Sequence, residues 1–214
     1  MEPTRPVVEP FEVAVFAKAP VAGEVKTRLV PPLAVEEAAA LHRWLVRRAV
    51  RTALRSGARA VSLWCAPNRA HPFFSACERE FGVTLHDQSG PDLGERMASA
   101  FAALTRDIPV LLIGADCPAL AETDLQNAAA ALATHAVVLQ PAEDGGYVLV
   151  GQRRRHPEMF TRIDWGSASV MGATRQRLSE SGIAWLEMPV LWDVDRPEDY
   201  HRLRGLGWYA RDMA

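Results

Sequence analysis

Short apolar runs alternate with amphipathic stretches along most of the chain, the pattern of strands and helices in a mainly parallel sheet. Phe11 to Ala17 reads as the first strand. A loop from Lys18 to Pro32 follows, and then a long helix from about Ala34 to Ser56 that Gly57 stops. Ala60 to Cys65 reads as a strand, Phe73 to Phe81 as a helix, and Val83 to His86 as a short strand. The polar stretch from Gln88 to Asp92 leads into a helix reaching about Arg106. Val110 to Ile113 is the most hydrophobic strand, and Gly114 to Pro118 makes a turn after it. A helix over Glu122 to Leu132 precedes strands at Ala136 to Leu139 and Tyr147 to Val150. Arg153 to Arg155 reads as a solvated loop, and Val170 to Ser181 as a helix. Trp185 to Val194 is a last strand or a pair of short ones, and Pro197 opens a closing helix. With no repeat, low-complexity tract or linker in view, residues 11–214 form one α/β domain behind a flexible, proline-rich segment 1–10.

Composition narrows the function classes. At 214 residues, with 49% apolar, the chain can bury roughly 70% of its unfolded surface and needs no disulfide or metal staple. A formal net charge of −2 disfavours general nucleic-acid binding, which needs a basic field. No run approaches the roughly 18 apolar residues that span a bilayer, and the N-terminus lacks an apolar signal core, so a cytoplasmic protein is expected. Cys65, Cys77 and Cys117 are odd in number and lack metal-type spacing, which predicts reduced, buried thiols. The chain uses Arg for nearly all its cations, and its two lysines, Lys18 and Lys26, fall in one loop. Arg and Lys differ in shape and hydration, so this placement singles out that loop.

In open α/β sheets ligands bind where the carboxyl ends of strands lead into helices. That rule gathers residues 18–28, 88–96, 114–118, 143–147 and 193–196 as candidates for one site. In the first loop, Gly23 permits close backbone approach while Lys18, Lys26 and Arg28 supply charge for a di- or triphosphate. The glycine spacing is not that of a Walker loop, and no helix is expected to start at Thr27; an ordinary basic surface loop is the alternative. Asp116, after the most hydrophobic strand, can hold Mg²⁺ or Mn²⁺ against phosphate oxygens, or serve as a helix N-cap. Asp193 and Asp195 would face one side of a strand and could converge on an ion, or belong with Glu198 and Asp199 to helix capping. Asp144, Gly145, Gly146 and Tyr147 suit either close approach of a sugar or a plain hairpin turn. Trp165 to Ser169 offers a stacking platform or a helix cap, and the scattered histidines compose no nucleophile motif.

Six of these stretches occur in the order found in a known family. Phe16–Leu29, Gln88–Met97, Ile113–Leu120, Asp144–Gly151, Trp165–Ser167 and Asp193–Tyr200 resemble the motifs of small bacterial GT-A-type glycosyltransferases long catalogued as a domain of unknown function. These are related to molybdenum-cofactor and 2-phospholactate guanylyltransferases. The resemblance implies a Rossmann-like three-layer sandwich of the nucleotide-diphospho-sugar transferase type, mostly parallel with one short antiparallel element. It places Lys18, Gly23, Lys26 and Arg28 in a phosphate loop, Asp116 and Asp195 as metal ligands, and Gln88, Leu93 and Gly94 in a base-reading loop. Lys26, Asp116 and Asp144 would then be catalytic, with Gly145, Gly146, Tyr147, Trp165 and Ser167 facing sugar or acceptor. Ala22, Ser167 and Arg196 depart from the family pattern, and Arg196 adds a cation beside the expected metal.

The function so implied is a metal-dependent transferase, using Mg²⁺ or Mn²⁺ and a nucleotide sugar on a small-molecule acceptor. An alternative joins an NTP to a phosphorylated small molecule and releases pyrophosphate. A nucleotide-binding protein without turnover is the third reading, which the retained acids and lysines disfavour.

Overall fold

The computed structural model describes residues 9–104 and 108–208. Seven strands form one sheet: β1 Glu12–Lys18, β2 Ala60–Ala66, β3 Thr84–Asp87, β4 Val110–Gly114, β5 Val137–Pro141, β6 Tyr147–Gln152 and β7 Trp185–Glu187. Their spatial order is β3-β2-β1-β4-β6-β5-β7. Only β6 runs antiparallel to its neighbours, β4 and β5, which supplies the short antiparallel element that the family resemblance implies. The helices are α1 Val35–Arg55, α2 Pro72–Phe81, α3 Leu93–Leu104, α4 Glu122–Ala131, α5 Val170–Glu180 and α6 Pro197–Leu206.

The period of two along each strand sorts side chains into two layers. On β1, Val13, Val15 and Ala17 enter the core beneath α1, α2 and α4, whereas Ala14 and Phe16 enter the core that holds Met97, Phe101 and Met171. On β4, Leu111 and Ile113 face the first layer and Val110 and Leu112 the second. A third cluster, with Leu29, Trp44, Trp192, Val194 and Leu203, ties α6 to α1 at the sheet's carboxyl edge. Burial on both faces accounts for the nearly unbroken apolar runs read from the sequence.

Differences from the sequence reading concentrate where the chain leaves regular structure. The last strand ends at Glu187, and Leu191 makes only an isolated bridge to Ala142, because Pro189 has no N–H to continue a ladder. A single-turn 3₁₀-helix starts at Thr27, where no helix was expected, and a second covers Pro157–Phe160. Arg153 is not merely solvated: its Nε donates to the Leu132 carbonyl and its guanidinium pairs with Glu9. The expected flexible segment lies, over residues 1–8, outside the described residues, as does the expected helix end at Arg106. No helix among the described residues is long and apolar enough to cross a membrane. All three cysteines are free and buried.

Candidate functional site

The carboxyl ends of β1, β3 and β4 surround a cleft of about 590 Å³, into which Lys18, Lys26, Arg28, Arg96, Asp116 and Asp195 all project. The antiparallel β6 begins at this same edge, so Asp144 and Tyr147 are delivered beside it. Four cations, three from the stretch 18–28 and one from α3, thus meet acids that lie far along the chain.

Lys26 is the centre of the arrangement. Its backbone is left-handed, with φ of 51°, and it precedes the 3₁₀ turn at Thr27–Leu29. That turn directs the side chain inward, where only 4% of it is exposed and Nζ lies 2.8 Å from Asp116 Oδ1. His42, buried on α1, approaches the same oxygen at 3.6 Å through Nδ1 and reaches the Lys18 carbonyl with Nε2 at 3.1 Å. Asp116 does not cap a helix, because α4 begins six residues later, after Ala121. Burial alone would raise the Asp116 pKa; the Lys26 ammonium and the His42 ring outweigh it and hold the carboxyl well below the usual range. The Asp116 side chain is nevertheless 44% exposed, so one oxygen is engaged by the protein while the group still borders the cleft.

The second acid pairs in the same manner. Arg28 donates to Asp195, so the two loop cations engage the two aspartates expected to hold a metal. Helix capping falls instead to Asp199, whose Oδ2 accepts from the backbone N–H of Arg196 at 2.8 Å and of Asp195 at 3.1 Å. Asp193 is partly buried, and burial followed by the charges of Asp144 and Asp116 pushes its carboxyl up to about 6. A backbone bond from Val194 N–H to the Asp116 carbonyl, 2.9 Å, clamps the Asp193–Asp195 segment against the turn after β4.

This crowding of carboxylates is what a divalent cation relieves. Among the described residues no group of three or more His, Cys, Asp or Glu could hold an ion. One or two carboxylates completed by phosphate and water match the way Mg²⁺ is usually held. Asp116 and Asp195 both border the cleft, so they are the residues that would carry such an ion, with phosphate and water, once their cations turn away.

Gln88 spends its amide hydrogens on the backbone, with Nε2 2.9 Å from the Trp64 carbonyl and 3.4 Å from that of Ala17. Both partners are acceptors, so the amide orientation is fixed and Oε1 is what Gln88 can offer a ligand. Leu93 and Trp165 line the cleft. Gly94 does not line it; a Cβ there would lie 2.7 Å from the Trp165 ring and the Phe160 carbonyl, so Gly94 lets α3 close on Trp165. Gly145, at φ +91°, serves the same purpose in the hairpin, because a Cβ would meet the Ala168 carbonyl at 2.2 Å. Gly146, Tyr147 and Ser167 border an adjoining lobe, whereas Gly23, at φ +82°, makes a turn outside the cleft lining.

His42, Arg96 and Asp193 are the residues that motif reasoning did not commit to the site. His42 carries a signal in retrospect: it sits among Ala38, Leu41 and Leu45 on the buried face of α1, where a histidine needs a polar partner. Arg96 donates from Nε to the Gly90 carbonyl at 3.0 Å and borders the cleft.

The family described as an uncharacterized protein conserved in bacteria (DUF2064) matches residues 49–167. No curated protein matches the chain. A crystal structure from Desulfovibrio desulfuricans G20, assigned as a nucleotide-diphospho-sugar transferase, is 30% identical over 87% of this chain and 82% of its own, with a TM-score of 0.79. CMP:2-keto-3-deoxy-manno-octonic acid synthetase, solved with CTP, is 12% identical over 95% and 99% of the two chains, with a TM-score of 0.61. The manganese complex of Rv0371c from Mycobacterium tuberculosis H37Rv is 16% identical over 91% and 97%, with a TM-score of 0.52. The last two likenesses concern the fold.

Proposed function

Given that the chain belongs to the DUF2064 family of uncharacterized bacterial proteins, we propose that it is a metal-dependent transferase that uses a nucleotide sugar to modify a small-molecule acceptor. The observation that carries this reading is the convergence of Lys26 on Asp116 and of Arg28 on Asp195 in one cleft at the carboxyl edge of the sheet. The relative assigned as a nucleotide-diphospho-sugar transferase lends support to the donor class.

In this reading Lys18, Lys26, Arg28 and Arg96 bind the diphosphate and neutralise the charge that grows on it as the sugar departs. A divalent ion held by Asp116 and Asp195 would supply further charge stabilisation there. Gln88 Oε1 meets a base that presents an N–H, and Trp165 flanks the nucleotide. The acceptor oxygen forms the new bond to the anomeric carbon as the bond from that carbon to the diphosphate oxygen breaks. The electron pair leaves with the nucleoside diphosphate, and the acceptor proton passes to one carboxylate of the neighbouring Asp144–Asp193 pair.

A second reading draws on the four cations in the cleft, which also suit a triphosphate: transfer of a nucleotidyl group with release of pyrophosphate. Incubation with Mn²⁺, a panel of nucleotide sugars or NTPs and pooled alcohol and phosphate acceptors separates the two. Nucleoside diphosphate as product supports glycosyl transfer, and pyrophosphate supports nucleotidyl transfer. Calorimetry showing no nucleotide binding with Mn²⁺ would overturn both.

A further inference from the structure

The cleft has two side lobes of opposite chemistry. One, of about 490 Å³, is polar: Glu143, Asp144, Asp193, Asp195, Arg196 and Asp199 border it. The other, of about 220 Å³, extends under the sheet between Phe16, Met97, Leu112, Val148, Val170 and Trp165. Of its polar neighbours, Ser167 already donates to the Asp164 carbonyl, and Asp144 Oδ1 accepts from Gly146 N–H at 2.9 Å. Asp144 and Asp193 border both lobes, so the apolar and polar spaces meet at a wall that carries two carboxylates.

A hexose needs a partner for nearly every hydroxyl, and apart from the Tyr147 hydroxyl and the carboxylates at its wall this lobe is lined mostly by apolar side chains that supply none. The polar lobe offers many. An apolar cavity of about 150 Å³ takes benzene, so a lobe of about 220 Å³ accommodates a substituted six-membered ring. We propose that the apolar lobe binds the ring-sized apolar portion of the acceptor, an aromatic or branched alkyl alcohol rather than a sugar, with its hydroxyl at the Asp144–Asp193 wall. The assignment to the acceptor rests on the transferase reading above; the ligand chemistry of the lobe rests on its walls.

Protein labelled with ¹³C at its methionine methyl groups is titrated with benzyl alcohol and, separately, with glucose. Met97 borders the lobe, whereas Met159 and Met171 belong to the same core layer but lie outside the lining and serve as internal controls. Benzyl alcohol is expected to shift Met97 with a dissociation constant on the order of 1 mM, leaving Met159 and Met171 in place, with glucose at least about tenfold weaker. Val170→Phe, which fills the lobe, should abolish the Met97 shift; if that variant fails to fold, Val148→Phe blocks another wall. Failure of benzyl alcohol to shift Met97, or a glucose response of equal strength, overturns the proposal. UDP and CTP titrated with Mn²⁺ into the same sample test the transferase reading separately, since absence of nucleotide binding would sink that reading without altering the methyl result.

Discussion

Lys26 Nζ sits 2.8 Å from Asp116 Oδ1, so the cation expected to grip phosphate is held by the acid expected to grip metal. Removing Asp116 leaves the buried Lys26 ammonium without compensation, which is costly, whereas removing Lys26 leaves a carboxylate that water and His42 still reach. Asp116→Ala, which strands a buried ammonium, should destabilise the fold by about 2–4 kcal/mol, Lys26→Met, which leaves a part-exposed carboxylate, by about 1–2 kcal/mol, and the double variant by at least about 1 kcal/mol less than their sum. Urea unfolding of the four proteins measures the coupling, and additive losses would show that the contact carries no energy.

Under the proposed function the same contact would make ligand binding an exchange of partners. With a metal ion held at Asp116, the Lys26 ammonium would be free for phosphate, so each ligand would assist the other. Wild-type protein should bind Mn²⁺ weakly alone and at least about tenfold more tightly with a nucleoside diphosphate, on the scale of a typical 1–3 kcal/mol coupling. Lys26→Met should bind Mn²⁺ alone more tightly than wild type and lose about 1–3 kcal/mol of nucleotide affinity. Electron paramagnetic resonance of free Mn²⁺ and calorimetry give both numbers; independent binding of the two ligands would refute the exchange.

Asp193 costs the fold stability at neutral pH. Its carboxyl is raised from an ordinary 3.8 to about 6 by burial and by Asp144 and Asp116, so the stability it contributes is full below about pH 4 and is lost as pH rises through 6. Asp193→Asn should therefore stabilise the protein by about 1 kcal/mol at pH 7, after discounting for its partial exposure, and by nothing at pH 4. Transfer activity should fall by at least about tenfold in that variant, the low end for lost general acid–base help. Thermal melts at the two pH values decide the first point, and an unchanged melting temperature at pH 7 would contradict it.

Gly94→Ala should move Trp165. The added Cβ would lie 2.7 Å from its ring and from a backbone carbonyl, so the indole must shift, at a cost of about 1–3 kcal/mol. Near-ultraviolet circular dichroism and tryptophan emission report the displacement, and nucleotide affinity should weaken with it. A spectrum identical to wild type would mean that the loop relaxes without disturbing the cleft.

The thiols should be silent in the folded state. Burial, foremost, pushes Cys65 and Cys117 up to about 12 and Cys77 up to about 11. An aromatic disulfide reagent at pH 8 should detect no thiol until denaturant is added, and three afterwards. Any rapid reaction of the native protein would place a thiol at the surface.

Alternation of short apolar runs with amphipathic stretches settled the architecture, because each strand of a doubly covered sheet must be apolar on both faces and each helix on one. Val13 and Ala14, or Leu111 and Leu112, are assigned to their layers by parity alone. Position along the chain also nominated Lys26, Asp116 and Asp195, since the ends of parallel strands gather wherever the sheet closes. Which acid meets which cation was not readable. The left-handed backbone at Lys26 turns its side chain inward to Asp116, and one backbone bond from Val194 to Asp116 fixes where Asp193 and Asp195 lie. His42 entered the site because a helix wedged against β1 carries it there. Local pattern decides which surfaces are buried, whereas pairings between charges distant in sequence depend on loop conformation and chain packing, and these exist only after the sheet has assembled.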